Sequence, residues 1–209
     1  MTWLADTRTS YDTVAESYAD FVSDAVEKQP YLRAALTLFA AEADGPVVDV
    51  GCGPGQFTGY LASLGAEVSG IDLSPAMVGL ARSAHPGLRF EVGSMTDLAL
   101  PDASVAGVLA FWSLIHVPDD EVPVALGHFR RVLRPGGLLV IGYHVGAEAR
   151  LKTEGYGGHP MRVHVHLRQP SWLAGEVRKA GFTIEAEWSL NTENKVPQAI
   201  LFARTADEG

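Results

Sequence analysis

The chain has 209 residues and a formal net charge of −9, from 16 basic and 25 acidic side chains. With 47% hydrophobic and 20% charged residues it has the mix of one globular domain, and its charge excludes a global cationic field for nucleic acid. The single cysteine, Cys52, excludes an internal disulfide and a cysteine-rich zinc cluster, so no metal site is expected.

The opening segment MTWLADTRTSYD lacks the apolar stretch of a signal peptide. No apolar run approaches the ~20 residues that span a bilayer. A soluble, cytoplasmic protein with no nucleic-acid or membrane partner is expected.

Tyr11, Val14, Ala15, Tyr18, Phe21 and Val22 recur at three- and four-residue steps and predict an amphipathic helix. Pro30 opens a second helix over 31–42, stopped by Gly45-Pro46. The pattern then changes. Apolar runs rich in β-branched residues at 47–50, 66–71, 88–92, 105–111 and 138–143 read as strands. Helical stretches at 56–64, 75–84 and 121–133 lie between them. This alternation predicts an α/β fold: a doubly wound, mostly parallel sheet with helices on both faces. The segment 146–168 has no clear period and reads as a long excursion, of the kind that often forms a lid. A helix over 170–180 ends at Gly181, and strands at 182–188 and 199–204 follow. The connection 189–198 suits a hairpin, so this last pair is expected to be antiparallel.

The most specific pattern is Val47-Val48-Asp49-Val50-Gly51-Cys52-Gly53-Pro54-Gly55, a buried strand running into three alternating glycines. Glycine lets a backbone turn sharply and lets a ligand approach closely. The spacing differs from that of dinucleotide sites and P-loops, and no lysine follows to meet a phosphate. The loop is shaped for a nucleoside without a pyrophosphate. Asp72 ends the next strand, where a carboxylate accepts hydrogen bonds from both ribose hydroxyls. Cys52 reads as a small spacer in the loop.

These segments resemble class I S-adenosylmethionine-dependent methyltransferases of the small, single-domain, small-molecule type. DVGCGPGQFT is similar to the first motif of that family and GIDLSPAMV to its acidic second motif. VGSMTDLALPDASVAGVLAFWSLIHVPDD, FRRVLRPGGLLVIG and AGFTIEAEW…QAILFA resemble the segments that follow, in the same order. The resemblance implies a Rossmann-like sheet with an antiparallel closing strand. It also implies one domain: helices over 1–44 as a lid, a cofactor-binding sheet over 45–145, an excursion over 146–169 above the acceptor, and a closing helix and hairpin over 170–209.

The resemblance assigns S-adenosyl-L-methionine as the cofactor. Gly51, Gly53 and Gly55 would pass under its amino-acid part, and Asp49 would hold the loop or the amino group. Asp72 would bind the ribose, with Leu73 on the adenine. Ser94 and Met95, or else Asp97, would meet the adenine edge, and Phe111 would lie beside the methionine moiety. Tyr11 and Tyr18 would reach the carboxylate, or simply form a core stripe.

Methyl transfer needs alignment, and sometimes a base. His116 follows the fourth sheet strand, where an imidazole suits proton removal; otherwise it packs the Val117-Pro118-Asp119 turn. His144 ends the fifth and is the second catalytic candidate. Trp112 either lines the acceptor pocket or is core. Arg162 and Arg168 receive an acidic substrate or are merely solvated. His164 and His166 share a strand face without an evident third metal ligand. The expected activity is methyl transfer to an O, N or C atom of a small molecule. A peptide or protein acceptor, or a cofactor-binding module without turnover, stay open as alternatives.

Overall fold

A computed structural model describes residues 2–190 and 196–206. Seven strands form one sheet: β1 (Val47–Val50), β2 (Val68–Asp72), β3 (Arg89–Val92), β4 (Val105–Phe111), β5 (Leu133–His144), β8 (Phe182–Leu190) and β9 (Gln198–Thr205). Their spatial order is β3-β2-β1-β4-β5-β9-β8. The first five are parallel, and β9 lies antiparallel to both β5 and β8. The expected doubly wound sheet and its reversed closing pair are both present. The middle of the 189–198 connection lies outside the described residues.

All seven residues of β4 are buried, as a central strand with both faces covered requires. On one face α3 (Pro30–Glu42) and α4 (Gln56–Ser63) bring Leu36, Phe39 and Leu61 against Leu109 and Val140. On the other, α6 (Val122–Val132) and α7 (Pro170–Lys179) bring Leu126, Phe129, Leu173 and Val177 against Val108 and Ile141. Between β2 and β3 runs α5 (Pro75–Ala84), whose Val78 and Ala81 pack on Phe90 and Cys52. Cys52 is thus a buried packing residue.

The N-terminal segment divides. The long helix α1 (Trp3–Val22) lies over the carboxyl end of the sheet, followed by a single turn, α2 (Ala25–Lys28). By contrast α3 belongs to the core, because Leu32, Ala35, Leu36 and Phe39 form an unbroken apolar face. The α1 stripe turns inward as far as Val22, except that Phe21 is 68% exposed.

The segment 146–168 is ordered secondary structure. It forms a separate antiparallel hairpin, β6 (Ala149–Gly155) and β7 (His159–His166). Met161 and Val163 of β7 pack on Val14 of α1. The hairpin therefore supports the outer side of α1, and the sheet end supports its inner side.

Candidate active site

Right-handed strand–helix–strand crossovers leave a crevice outside the carboxyl ends of the strands where the strand order reverses, here between β1 and β4. A cavity of about 700 Å³, its mouth included, occupies that place under α1. Its wall is built from the ends of β1, β2 and β4 and from the inner face of α1.

The glycine turn forms the floor. Gly51 has φ +79°, and a Cβ there would stand 2.2 Å from Ser113 Cβ, so both conformation and space demand glycine. Gly53 has φ +55° but faces the open cavity, with Tyr18 Cε1 at 3.5 Å from a built Cβ. Asp72 locks this turn: its carboxylate accepts from the Gly53 amide and the Ser74 amide, each at 2.8 Å. Each oxygen can accept a further hydrogen bond, and Asp72 lines the cavity. Burial pushes Asp72 up to about 6. Among the described residues no Lys or Arg pairs with it, so its carboxylate stays available to a ligand's hydroxyls.

A second carboxylate lies below. Asp49 is 1% exposed and accepts from Thr58 Oγ1 at 2.7 Å. Burial pushes it up to about 7 against the pull of that bond.

The lid is tied to this floor. Ser74 Oγ donates to Asp12 Oδ1 at 2.5 Å, and the Ala76 amide donates to the same oxygen at 3.2 Å. Ser74 Oγ in turn accepts from the Met77 amide at 3.1 Å. Asp12 of α1 thereby completes the N-terminal cap of α5, an anion at the positive end of a helix.

The far wall comes from the end of β4. Trp112 has φ +49°, a left-handed conformation that a bulky side chain adopts at a cost of about 1–3 kcal/mol. Its indole Nε1 is buried and has no partner among the described residues. His116 sits on the short turn Leu114–His116. Its Nδ1 lies 2.9 Å from the His164 carbonyl, which can only accept, so Nδ1 carries the proton. Nε2 keeps its lone pair and accepts from Tyr11 Oη at 2.7 Å. Burial holds His116 down at about 4, so the ring is neutral near pH 7.

The expected residues assemble for the most part. Tyr11, Tyr18, Gly51, Gly53, Asp72, Leu73, Ser94, Met95, Phe111, Trp112 and His116 share the cavity wall. Asp97 is exposed and off it. Three expected residues stand elsewhere. Asp49 is bonded inside the fold, and Gly55 caps α4, where an added Cβ would stand 3.1 Å from Ala81 and Phe90. His144 closes β5 in a neighbouring pocket.

Arg162 pairs with Asp6 at 3.3 Å on the surface. Arg168 is not solvated. It is 3% exposed, pairs with Asp119 and donates to the carbonyls of Leu114 and Val117, which holds the His116 turn in shape. The His164 and His166 rings lie 6.2 Å apart, and among the described residues no three His, Cys, Asp or Glu side chains converge.

Sequence reasoning missed Trp3, Leu4, Thr7 and Arg8, which line the cavity from the first turns of α1. Nothing local marks them, since their place depends on how α1 docks.

A glycine turn leading from a parallel strand, a carboxylate ending the next strand and a helical cover define a nucleoside-binding α/β protein. A family model described as a methyltransferase domain matches residues 47–137. The ubiquinone biosynthesis O-methyltransferase of Xanthomonas axonopodis pv. citri is 34% identical over 175 residues, covering 76% of this chain and 71% of that protein. The malonyl-[acyl-carrier protein] O-methyltransferase of Pectobacterium atrosepticum is 36% identical over 104 residues, 50% of this chain and 40% of that protein. The chain spans about half the length of several such curated relatives, from 40% to 58%. Among solved structures, a 1,6-didemethyltoxoflavin-N1-methyltransferase of Burkholderia thailandensis with bound S-adenosylhomocysteine superposes with a TM-score of 0.63 at 25% identity, covering 90% of this chain and 87% of that one. The chain belongs to the S-adenosylmethionine-dependent methyltransferases. S-adenosyl-L-methionine is the cofactor of that family, and the glycine floor, the uncompensated Asp72 and the enclosed cleft suit it.

Proposed function

We propose that the chain transfers a methyl group to a nucleophilic O, N or C atom of a small-molecule acceptor by in-line displacement. The observation that carries this is a single cavity that joins the glycine turn and Asp72 to Trp112 and His116. When bound, S-adenosylmethionine supplies an electrophilic methyl group on a positively charged sulfur.

Each wall then has a task. Gly51 and Gly53 let the backbone pass close under the amino-acid part, and Gly55 sets the turn into α4. Asp72 accepts from the ribose hydroxyls. Leu73 and Met95 give apolar faces to the adenine, with Ser94 at its edge, and Phe111 lies by the methionine chain. Asp49 supports the loop from below. Tyr11 and Tyr18 close the top of the cleft from α1, which acts as the lid and excludes water. The single domain carries its acceptor site between α1, the β6–β7 hairpin and the ends of β4 and β5.

His116 is the proposed proton acceptor. Its His164 bond fixes the tautomer in which Nε2 carries the lone pair, so a proton reaches Nε2 through Tyr11 Oη, which donates to it, or directly once that bond opens. The low basicity suits an acceptor that is itself fairly acidic. His144, with a buried unpartnered Nδ1, is the proposed second contact.

The acidic charge of −9 supports a site without nucleic acid. No helix among the described residues is long and apolar enough to cross a membrane. The single buried cysteine fits a reducing cytoplasm.

Incubation with methyl-labelled S-adenosylmethionine and a metabolite extract tests the reading. Label is expected in the small-molecule fraction. Label confined to protein, or no transfer at all, contradicts it.

A further inference from the structure

The β6–β7 hairpin gathers positive charge beside the site. Its register pairs Arg150 with Val165 and Lys152 with Val163. Paired residues of an antiparallel ladder point to the same face. Arg150 and Lys152 thus stand on the side that carries Val163 against α1. Lys152 Nζ lies 3.6 Å from the centroid of the Tyr156 ring. No carboxylate is within ion-pair distance of it among the described residues, and burial lowers its pKa. Arg150 pairs with Glu148 at the exposed edge.

His144 closes β5 next to them, with Nδ1 buried and unpartnered among the described residues. These side chains, with Val165 and Leu167, line a second pocket of about 570 Å³, mouth included. It adjoins His116: beyond the effect of burial, the positive fields of His144, Lys152 and His166 reach that ring and lower its pKa further. Two basic side chains, Arg150 and Lys152, line this pocket although the whole chain carries −9. Among the described residues the half-buried lysine has only a ring contact and no counter-ion, and the buried imidazole nitrogen has no hydrogen-bond partner.

We propose that this pocket holds an anionic group of the methyl acceptor, and that the acceptor is therefore a small organic acid with an apolar body. Lys152 and His144 grip the negative oxygens, and Val165 and Leu167 pack on the body. The inference rests on the reading of the chain as a small-molecule methyltransferase.

The test is calorimetric titration of the S-adenosylhomocysteine-loaded protein with benzoate, 3-phenylpropionate and octanoate, each beside its primary amide. At least one carboxylate is expected to bind about tenfold or more tightly than its amide. Lys152→Gln removes that preference and leaves S-adenosylhomocysteine affinity within about twofold. Lys179→Gln, exposed on α7 and remote from the pocket, retains the preference. Amides that match their carboxylates overturn the proposal. So does the absence of any carboxylate binding at about 10 mM, or a preference that survives Lys152→Gln. If S-adenosylhomocysteine itself fails to bind, the methyltransferase reading falls instead. The carboxylate–amide comparison on the free protein then still decides the anion site.

Discussion

Tyr11 Oη donates to His116 Nε2 at 2.7 Å, joining two residues 105 positions apart in the chain. The bond spans the cleft from the lid helix to the end of β4. It takes up the one imidazole lone pair that the His164 carbonyl leaves available. Closure of α1 and the proton-accepting capacity of His116 are therefore set by the same contact.

Tyr11→Phe removes the donor and leaves Nε2 buried without a partner. A loss of about 1–3 kcal/mol in unfolding free energy is expected, measured by urea denaturation. Amide exchange in α1 is expected to speed up as the lid loosens. His116→Gln is expected to lower turnover by roughly a hundredfold once an acceptor is in hand. A near-normal rate across pH removes the proton-accepting role.

The glycine floor separates two kinds of constraint. Gly51→Ala drives a Cβ to within 2.2 Å of Ser113 Cβ, so the turn must shift and cofactor binding is expected to be lost. Gly53→Ala meets nothing closer than 3.5 Å and carries only the strain of φ +55°, about 1 kcal/mol. Calorimetry on both variants should show the first far weaker than the second. Equal losses contradict the assigned packing.

Asp49 makes stability depend on pH in a direction opposite to an ordinary paired carboxylate. Burial raises it from 3.8 to about 7, so the folded state binds a proton that the unfolded state has released. That contribution is complete below pH 3.8 and fades as pH rises through 7. Asp49→Asn abolishes the ionisation, and its oxygen still accepts from Thr58. The variant is expected to gain on the wild-type protein by roughly 1–4 kcal/mol between pH 4 and pH 8, read from denaturation curves. A constant difference across that range contradicts the assignment.

Arg168 holds the His116 turn through two carbonyls and Asp119. Arg168→Ala strands those groups and is expected to cost about 3–5 kcal/mol, with a lower melting temperature as readout. Arg168→Lys cannot reproduce a planar fork and is expected to recover only part of the loss. Full recovery by lysine would show that charge alone is at work.

Much of this arrangement is legible in the residues. The run Val47–Val50 is apolar on both faces but for Asp49, and the three glycines that follow it, Gly51, Gly53 and Gly55, mark a turn whatever surrounds them. Asp72 stands where a strand ends. The features that escape are those made by tertiary contact. The strand Ala149–Gly155 is exposed on almost every side, so it has no alternation to betray it. Arginine is usually solvated, and nothing near Arg168 announces a buried one. Asp12 caps α5 from 62 residues away, and no local motif encodes such a cap. His116 is recognisable as a site residue, yet its tautomer depends on a carbonyl of the hairpin.

Calorimetric titration with S-adenosylmethionine, for the wild-type protein and for Asp72→Ala, decides whether this cleft binds the cofactor through its ribose. Saturable binding by the wild-type protein is expected, weakened about 10- to 100-fold when the carboxylate is removed. Absence of binding by the wild-type protein at millimolar ligand, or equal affinity in the two proteins, would contradict that assignment.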